Sequence, residues 1–338
     1  MGLPLSFYHT GVPRPALIAE PKPVKSQNFA DRLLDAIDRT GAPICVGIDP
    51  IFDLLPEAVA GDARSRPDDR EGAIDAIFAF TTSVLKIVAP LVPIVKFQSA
   101  YFEKYLWEGV EAYYSLIAEA AELGLLVIGD VKRGDIGTTA AAYAAAHLAS
   151  AALDEQDDVT IPDAITVNPF CGLDTIEPFV TTAVDDNKGI FVLVRTSNPG
   201  SAKLQDAMLA DGRTYSQLLA DELAPIAARP ALVGRRGFSS IGAVVGATQP
   251  HTMSDLRKRL PQSIFLLPGY GAQGATAEMT CNAFTNGYGA LVSASRSILF
   301  AHRETKYSQK FGDDWERCVK QAVIDMKQDL GSVLAASK

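Results

Sequence analysis

The chain has 338 residues, with 31 Lys plus Arg against 40 Asp plus Glu and a formal net charge of −9. That balance argues against nucleic acid or anionic membrane as a main partner. With 48% hydrophobic and 21% charged residues, the composition excludes wholesale disorder, and the length suffices for a full core without metal or disulfide staples.

Residues 1–26 carry Pro4, Pro13, Pro15, Pro21 and Pro23 with no periodicity and read as an extended arm. The remainder, 27–338, reads as one domain. A helix begins after Asn28, with Phe29, Leu33, Leu34 and Ile37 at helical spacing, and Gly41 stops it. Short β-branched runs then follow at Ile44–Asp49, Val92–Phe97, Leu125–Asp130, Ala164–Asn168, Ile190–Val194, Ile241–Gly246, Ile264–Leu267 and Ala290–Ser293. Helical stretches separate them, near Ala73–Val88, Val110–Leu123, Thr138–Leu153, Leu173–Val184, Tyr215–Ala228, Met253–Arg259 and Ala275–Ala283. A last helix lies near Asp313–Leu330. Two connections are long: Pro56–Glu71, which reads as a polar surface insertion, and Thr196–Thr214, which follows the fifth strand.

Strands alternating with helices predict parallel βα units, and nearly continuous apolar strands predict burial on both faces. Eight units over about 250 residues fit a closed (β/α)₈ TIM barrel of the α/β class. An open doubly wound sheet is the alternative if a strand is misread. In a barrel the loop at Thr196–Thr214 falls on the C-terminal rim, where ligand lids sit.

Cys45, Cys171, Cys281 and Cys318 show no metal-ligand spacing and read as small buried hydrophobes in a reducing compartment. No apolar run reaches the roughly 18 residues of a membrane span. The N-terminus lacks a basic start followed by an apolar stretch, so a cytoplasmic protein is expected. Met1-Gly2 with Ser6 matches the myristoylation pattern by chance, since Pro4 interrupts it.

Parallel barrels place their chemistry at the C-terminal strand ends. Strand 1 ends in Gly47-Ile48-Asp49-Pro50, strand 2 in Val95-Lys96-Phe97-Gln98, and strand 3 in Gly129-Asp130-Val131-Lys132-Arg133-Gly134-Asp135. One charged strand end reads equally well as a helix cap or a surface ion pair. Three in succession point to a site, because burying charge is costly unless it is paired. Asp130 and Lys132 are two apart, which on an extended strand turns them to one face. With Lys96 and Asp135 they form an array of alternating sign, each group favouring the charged form of the next. Strand 7 runs into Pro268-Gly269-Tyr270-Gly271-Ala272-Gln273-Gly274, and strand 8 into Ser293-Ala294-Ser295-Arg296-Ser297. Glycines that expose backbone N–H groups, the Gln273 amide and a bidentate Arg296 suit a phosphate.

These residues resemble the orotidine 5′-phosphate decarboxylase family, in its longer bacterial-type branch, from about Phe29 to Ala301. The block from Asp130 through Thr139 carries an Asp-x-Lys-x-x-Asp motif similar to the family's signature. The resemblance implies decarboxylation of orotidine 5′-monophosphate to uridine 5′-monophosphate in de novo pyrimidine synthesis, with no metal or organic cofactor. It implies catalytic roles for Lys96, Asp130, Lys132 and Asp135. It also implies substrate contacts from Asp49 at the ribose or pyrimidine end, Ser197 at the pyrimidine, and Gln273 and Arg296 at the phosphate. Finally, it implies a homodimer in which Asp135, Ile136 and Thr139 reach into the partner's site. The alanines of the following helix, Ala140–Ala142 and Ala144–Ala146, allow close approach. Asn168 reads equally as a turn residue or a substrate contact.

Two other readings fit the same residues. One is a sugar-phosphate decarboxylase of the same barrel group, which would need magnesium held by an acidic residue near strand 2. The other is a non-catalytic nucleotide-binding barrel. His9, His147, His251 and His302 lie away from the strand ends and read as surface or packing residues.

Overall fold

The structure, a computed structural model, describes residues 27–66, 69–150, 159–248 and 250–336, so the proline-rich arm lies outside the described residues. Helix α1 (Phe29–Thr40) starts where Asn28 accepts a hydrogen bond from Ala30 N, and it ends at Gly41, whose φ of 64° is in the left-handed region. The strands are β1 (Ile44–Ile48), β2 (Ile94–Gln98), β3 (Leu126–Arg133), β4 (Ala164–Val167), β5 (Gly189–Arg195), β6 (Ser239–Val245), β7 (Ser263–Pro268) and β8 (Ala290–Ala294). All pair in parallel in sequence order, and β8 returns to β1, so the sheet closes into a barrel. Closure decides against the open doubly wound alternative.

The outer layer and the rim are built from α2 (Glu57–Arg64), α3 (Arg70–Val88), α4 (Ala100–Glu103), α5 (Leu106–Glu122), α6 (Gly137–Leu148), α7 (Glu177–Asp185), α8 (Ser201–Gln205), α9 (Tyr215–Ala227), α10 (Pro250–Arg259), α11 (Ala277–Thr280), α12 (Arg296–Leu299), α13 (Thr305–Phe311) and α14 (Trp315–Ala336). Among the described residues, no helix is long and apolar enough to cross a membrane.

The interior fills in layers. Helix α1 plugs the N-terminal mouth: Phe29, Leu33 and Leu34 pack on Ile94, Ile128, Ala164, Phe191 and Leu291. Each such apolar side chain contributes about 2 kcal/mol on burial. Gly189 is required beneath this plug, because a Cβ there would lie 2.3 Å from the Phe29 ring. At the same end, the buried Arg257 donates to the carbonyls of Leu260, Ser263 and Gly289 and stacks 3.6 Å from the Phe265 ring centroid. Two residues further along each strand the interior turns polar, with Lys96, Asp130 and Thr166 above Ile94, Ile128 and Ala164.

Three expectations need correction. The connection Pro56–Glu71 is not a plain surface insertion: it contains α2, whose Ala60 and Ala63 pack into the core, and α3 already begins at Arg70. Two alanines three apart suffice for a buried stripe on a polar helix. Cys171 is exposed and Cys281 half-buried, so only Cys45 and Cys318 behave as buried hydrophobes. The backbone at Lys132 is not extended: its φ is +45°.

Candidate active site

Asp130 sits at the centre of the C-terminal mouth. Its Oδ2 accepts from Lys96 Nζ at 2.7 Å and from Gln98 Nε2 at 3.0 Å. Its Oδ1 accepts from Lys132 Nζ at 2.6 Å and Thr166 Oγ1 at 2.9 Å. The β2–β3 register places Gln98 beside Asp130, so neighbouring strands deliver the cluster directly. Burial opposes the charge on Asp130, but Lys96 and Lys132 outweigh it and hold the carboxyl well below the ordinary carboxylate range. Burial alone would likewise lower Lys96, yet Asp130 and Asp49 reverse this and raise it. The two shifts agree: this is a buried ion pair whose members are both charged. Removing one partner of such a pair costs about 3–5 kcal/mol, because the other is left buried and uncompensated.

The two lysines differ in access. The Lys96 side chain is 10% exposed and that of Lys132 45%, so Lys132 presents its ammonium at the open side of the carboxylate. It does so through an irregular backbone. Lys132 has φ of +45°, which costs a non-glycine residue about 1–2 kcal/mol. Alternation along a flat strand therefore does not bring Lys132 to Asp130. A break in the β3–β4 register between Gly129 and Arg133 does.

Asp49 lies just beyond β1, and its Oδ1 is buried without a hydrogen-bond partner among the described residues. Its charge acts on both Lys96 and Tyr101. Tyr101 is raised by burial and by Asp49, against the opposing charges of Arg296 and Lys96, so these groups share one mouth. Gly47 lets β1 close on β8: a Cβ there would lie 2.8 Å from that of Ser295, whose hydroxyl donates to Gly47 O at 3.2 Å.

Arg296, at the start of α12, is exposed and lines a cavity of about 480 Å³ with Leu54, Gly271, Ala272, Ser297 and Glu304. Gly269, Gly271 and Gly274 all take positive φ in the turn after β7, which explains the glycines there. Gln273 folds back over Gly269, with its Oε1 3.3 Å from where a Cβ would stand. A roomier cavity of about 640 Å³ lies outside the barrel between α3 and α5. It is remote from this cluster, and its Glu108 is already paired with Arg70 at 2.7 Å.

Ser197 sits in the loop after β5, backed by Gly246, where a Cβ would come within 3.0 Å of Ser197 Cα. Arg195 anchors the same loop: its side chain is 4% exposed and pairs with Asp206 at 2.8 Å. Asn168 has a turn role, its Oδ1 accepting from Phe170 N at 3.1 Å. Asp135, Ile136 and Thr139 do not join the cluster within the chain. Asp135 Oδ1 accepts from Ile136 N at 2.7 Å, Ile136 is 64% exposed, and Thr139 stands exposed on α6.

Sequence reading missed Gln98 and Thr166 as partners of Asp130. The available signal was their position: Thr166 is a polar residue two from the interior-facing Ala164, and Gln98 is two from Lys96 on the same face of its strand.

The chain is similar to known proteins over most of its length. The family model described as Orotidine 5′-phosphate decarboxylase / HUMPS family matches residues 44–311. The orotidine 5′-phosphate decarboxylase of Rhodopirellula baltica is 41% identical, over 89% of this chain and 98% of its own. That of Clostridium perfringens (strain SM101) is 33% identical over the same shares. A crystal structure of a provisionally named orotidine 5′-phosphate decarboxylase from Streptomyces avermitilis superposes with a TM-score of 0.75 at 32% identity, covering 94% of this chain and 100% of that one. Closed barrel, Asp130 cluster and near full-length likeness lead to one placement: the chain belongs to the orotidine 5′-phosphate decarboxylase / HUMPS family.

Proposed function

We infer that this chain decarboxylates orotidine 5′-monophosphate to uridine 5′-monophosphate and carbon dioxide, a step of de novo pyrimidine nucleotide synthesis. Family membership and the activity named for its relatives support the reading. The structural observation that carries it is the Asp130 carboxylate held ionised between Lys96 and Lys132.

In the proposed reaction, Asp130 lies against the substrate carboxylate. The bond from C6 to that carboxylate breaks, its electron pair stays on C6, and carbon dioxide leaves. Lys132, the more accessible ammonium, stabilises the developing charge and then protonates C6. Lys96 and Asp135 of a second copy keep these groups placed and charged. Asp49 takes the ribose or pyrimidine end, Ser197 the pyrimidine, and Gln273 with Arg296 the phosphate. Phosphate binding far from C6 can drive loop closure and water exclusion, and so lower the barrier at the reacting carbon.

The proposed partner is a second copy of this chain. Ile136, Phe170 and Tyr143 are exposed large apolar side chains, Ile136 directly following Asp135, and Ala141, Ala142 and Ala146 leave the outer face of α6 low enough for close contact. A free, charged nucleotide as substrate suits a cytoplasmic enzyme.

A magnesium-assisted sugar-phosphate decarboxylase is less well served by these residues. The end of β2 carries Lys96, both Asp130 oxygens are engaged by ammonium groups, and Glu103 is paired with Arg133 at 2.8 Å. The test is loss of orotate-type absorbance when pure protein meets orotidine 5′-monophosphate in EDTA. Turnover is expected to persist. Activity that disappears with the chelator would favour the metal-assisted reading. Inactive protein that still binds uridine 5′-monophosphate would favour a non-catalytic barrel.

A further inference from the structure

We propose that Thr166 is a positioning residue for the decarboxylation inferred above, its hydroxyl setting both the Asp130 carboxylate and the backbone that carries Lys132. Thr166 is 1% exposed, inside β4, with its hydroxyl turned to Asp130 and the Lys132 backbone.

Gly129 pairs with Ile165, but the next pair is Arg133 with Val167. Four residues of β3 thus face two of β4, so β3 carries two extra residues there. Lys132 lies in this bulge with φ of +45°. Its N–H has left the regular strand pattern and needs another acceptor, since a backbone donor left unpaired in a site of this kind is costly. Thr166 Oγ1 supplies that acceptor at 2.9 Å.

The same hydroxyl spends its own proton on Asp130 Oδ1, at 2.9 Å. Lys132 Nζ donates to that same oxygen at 2.6 Å. Thr166, the Lys132 backbone and the Asp130 carboxylate therefore form a closed circuit through one hydroxyl. A side chain with only an acceptor or only a donor could not complete it, and neither could a methyl group. Lys132 would otherwise be free to relax from its left-handed backbone, carrying the ammonium away from the reacting carbon.

The test is a set of variants assayed with orotidine 5′-monophosphate. Thr166→Val keeps the shape and removes the hydroxyl; Thr166→Ser keeps the hydroxyl and removes the methyl. Misplacing a reacting group by about 1 Å costs on the order of a hundredfold in rate. For Thr166→Val, kcat is expected to fall by about that factor, with KM and affinity for uridine 5′-monophosphate within about threefold of the parent. Thr166→Ser is expected to restore most of kcat. A packing role would give the reverse order, Val tolerated and Ser impaired, and that order would overturn the proposal. So would a kcat for Val within threefold of the parent. If Thr166→Val does not fold, Thr166→Ala against Thr166→Ser isolates the hydroxyl in the same way, and equal kcat in those two sinks the idea. A parent enzyme inactive on this substrate would instead overturn the functional reading itself.

Discussion

The hydroxyl of Tyr270, in the glycine-rich turn after β7, donates a hydrogen bond to the Asp329 carboxylate on α14. Burial and this carboxylate together raise the Tyr270 phenol above its ordinary range, so it stays a donor. Next to it, Tyr307 donates to Asp325 at 3.1 Å and Lys306 pairs with the same carboxylate. The turn proposed to hold phosphate is thus braced from behind by the last helix.

Removing that brace in Tyr270→Phe should loosen the turn and leave the Asp130 cluster alone. A partly exposed hydrogen bond to a charged group is worth about 1 kcal/mol, so KM for orotidine 5′-monophosphate should rise roughly fivefold. Slow turnover of the bare nucleoside orotidine should not change. Equal losses on both substrates would show that the tether serves general stability only.

Arg296→Ala removes a guanidinium from the cavity below that turn. Binding of uridine 5′-monophosphate should weaken by at least about tenfold, since charge-assisted contacts to phosphate contribute about 1.5–3 kcal/mol. Uridine should bind almost as before. Titration calorimetry with both ligands decides the point, and parallel losses would remove Arg296 from the phosphate.

Lys132→Ala should lower kcat by about 10²–10⁴ or more, as expected when a positioned proton donor is lost, while uridine 5′-monophosphate still binds. Asp135→Asn should be similarly impaired if Asp135 serves the partner's site. Mixing the two inactive proteins then gives some sites with both intact residues. Recovered activity in the mixture is the expected result. No recovery, in a mixture shown to exchange subunits, would place Asp135 in its own chain's site or in none.

His147, on α6, is pushed down to about 4, first by burial and then by the Arg133 charge, with Glu103 opposing. The unfolded chain takes up this proton near the ordinary value of 6.5, before the folded chain does. Stability from this group is therefore full above pH 6.5 and is lost as pH falls from 6.5 through about 4. Urea midpoints at about pH 7.5 and 5.0 should differ less in His147→Gln than in the parent. The same pH dependence in both proteins would refute the assignment.

Much of this was legible along the chain. Eight apolar runs between helices forecast the barrel because strands buried on both faces must be apolar, and observed strand limits lie within three residues of the expected ones. Lys96, Asp130 and Lys132 stood out because charge at the end of an apolar run needs a partner. The helix α2 did not, because its buried stripe is only Ala60 and Ala63 within polar sequence. Nor did the hydroxyl of Thr166, since a threonine inside a strand satisfies strand propensity and reveals no partner.

By itself the sequence determined the order of the elements, the residues that must be buried and the charged side chains Lys96, Asp130 and Lys132 on the strands, since these depend on local periodicity and on the cost of burying charge. Only the tertiary structure decided that the sheet closes, that β3 bulges to turn Lys132 back on Asp130, and that Thr166 and Gln98 complete its shell. Those outcomes depend on the register between strands far apart in sequence, and register is a property of the packed barrel that no single segment encodes.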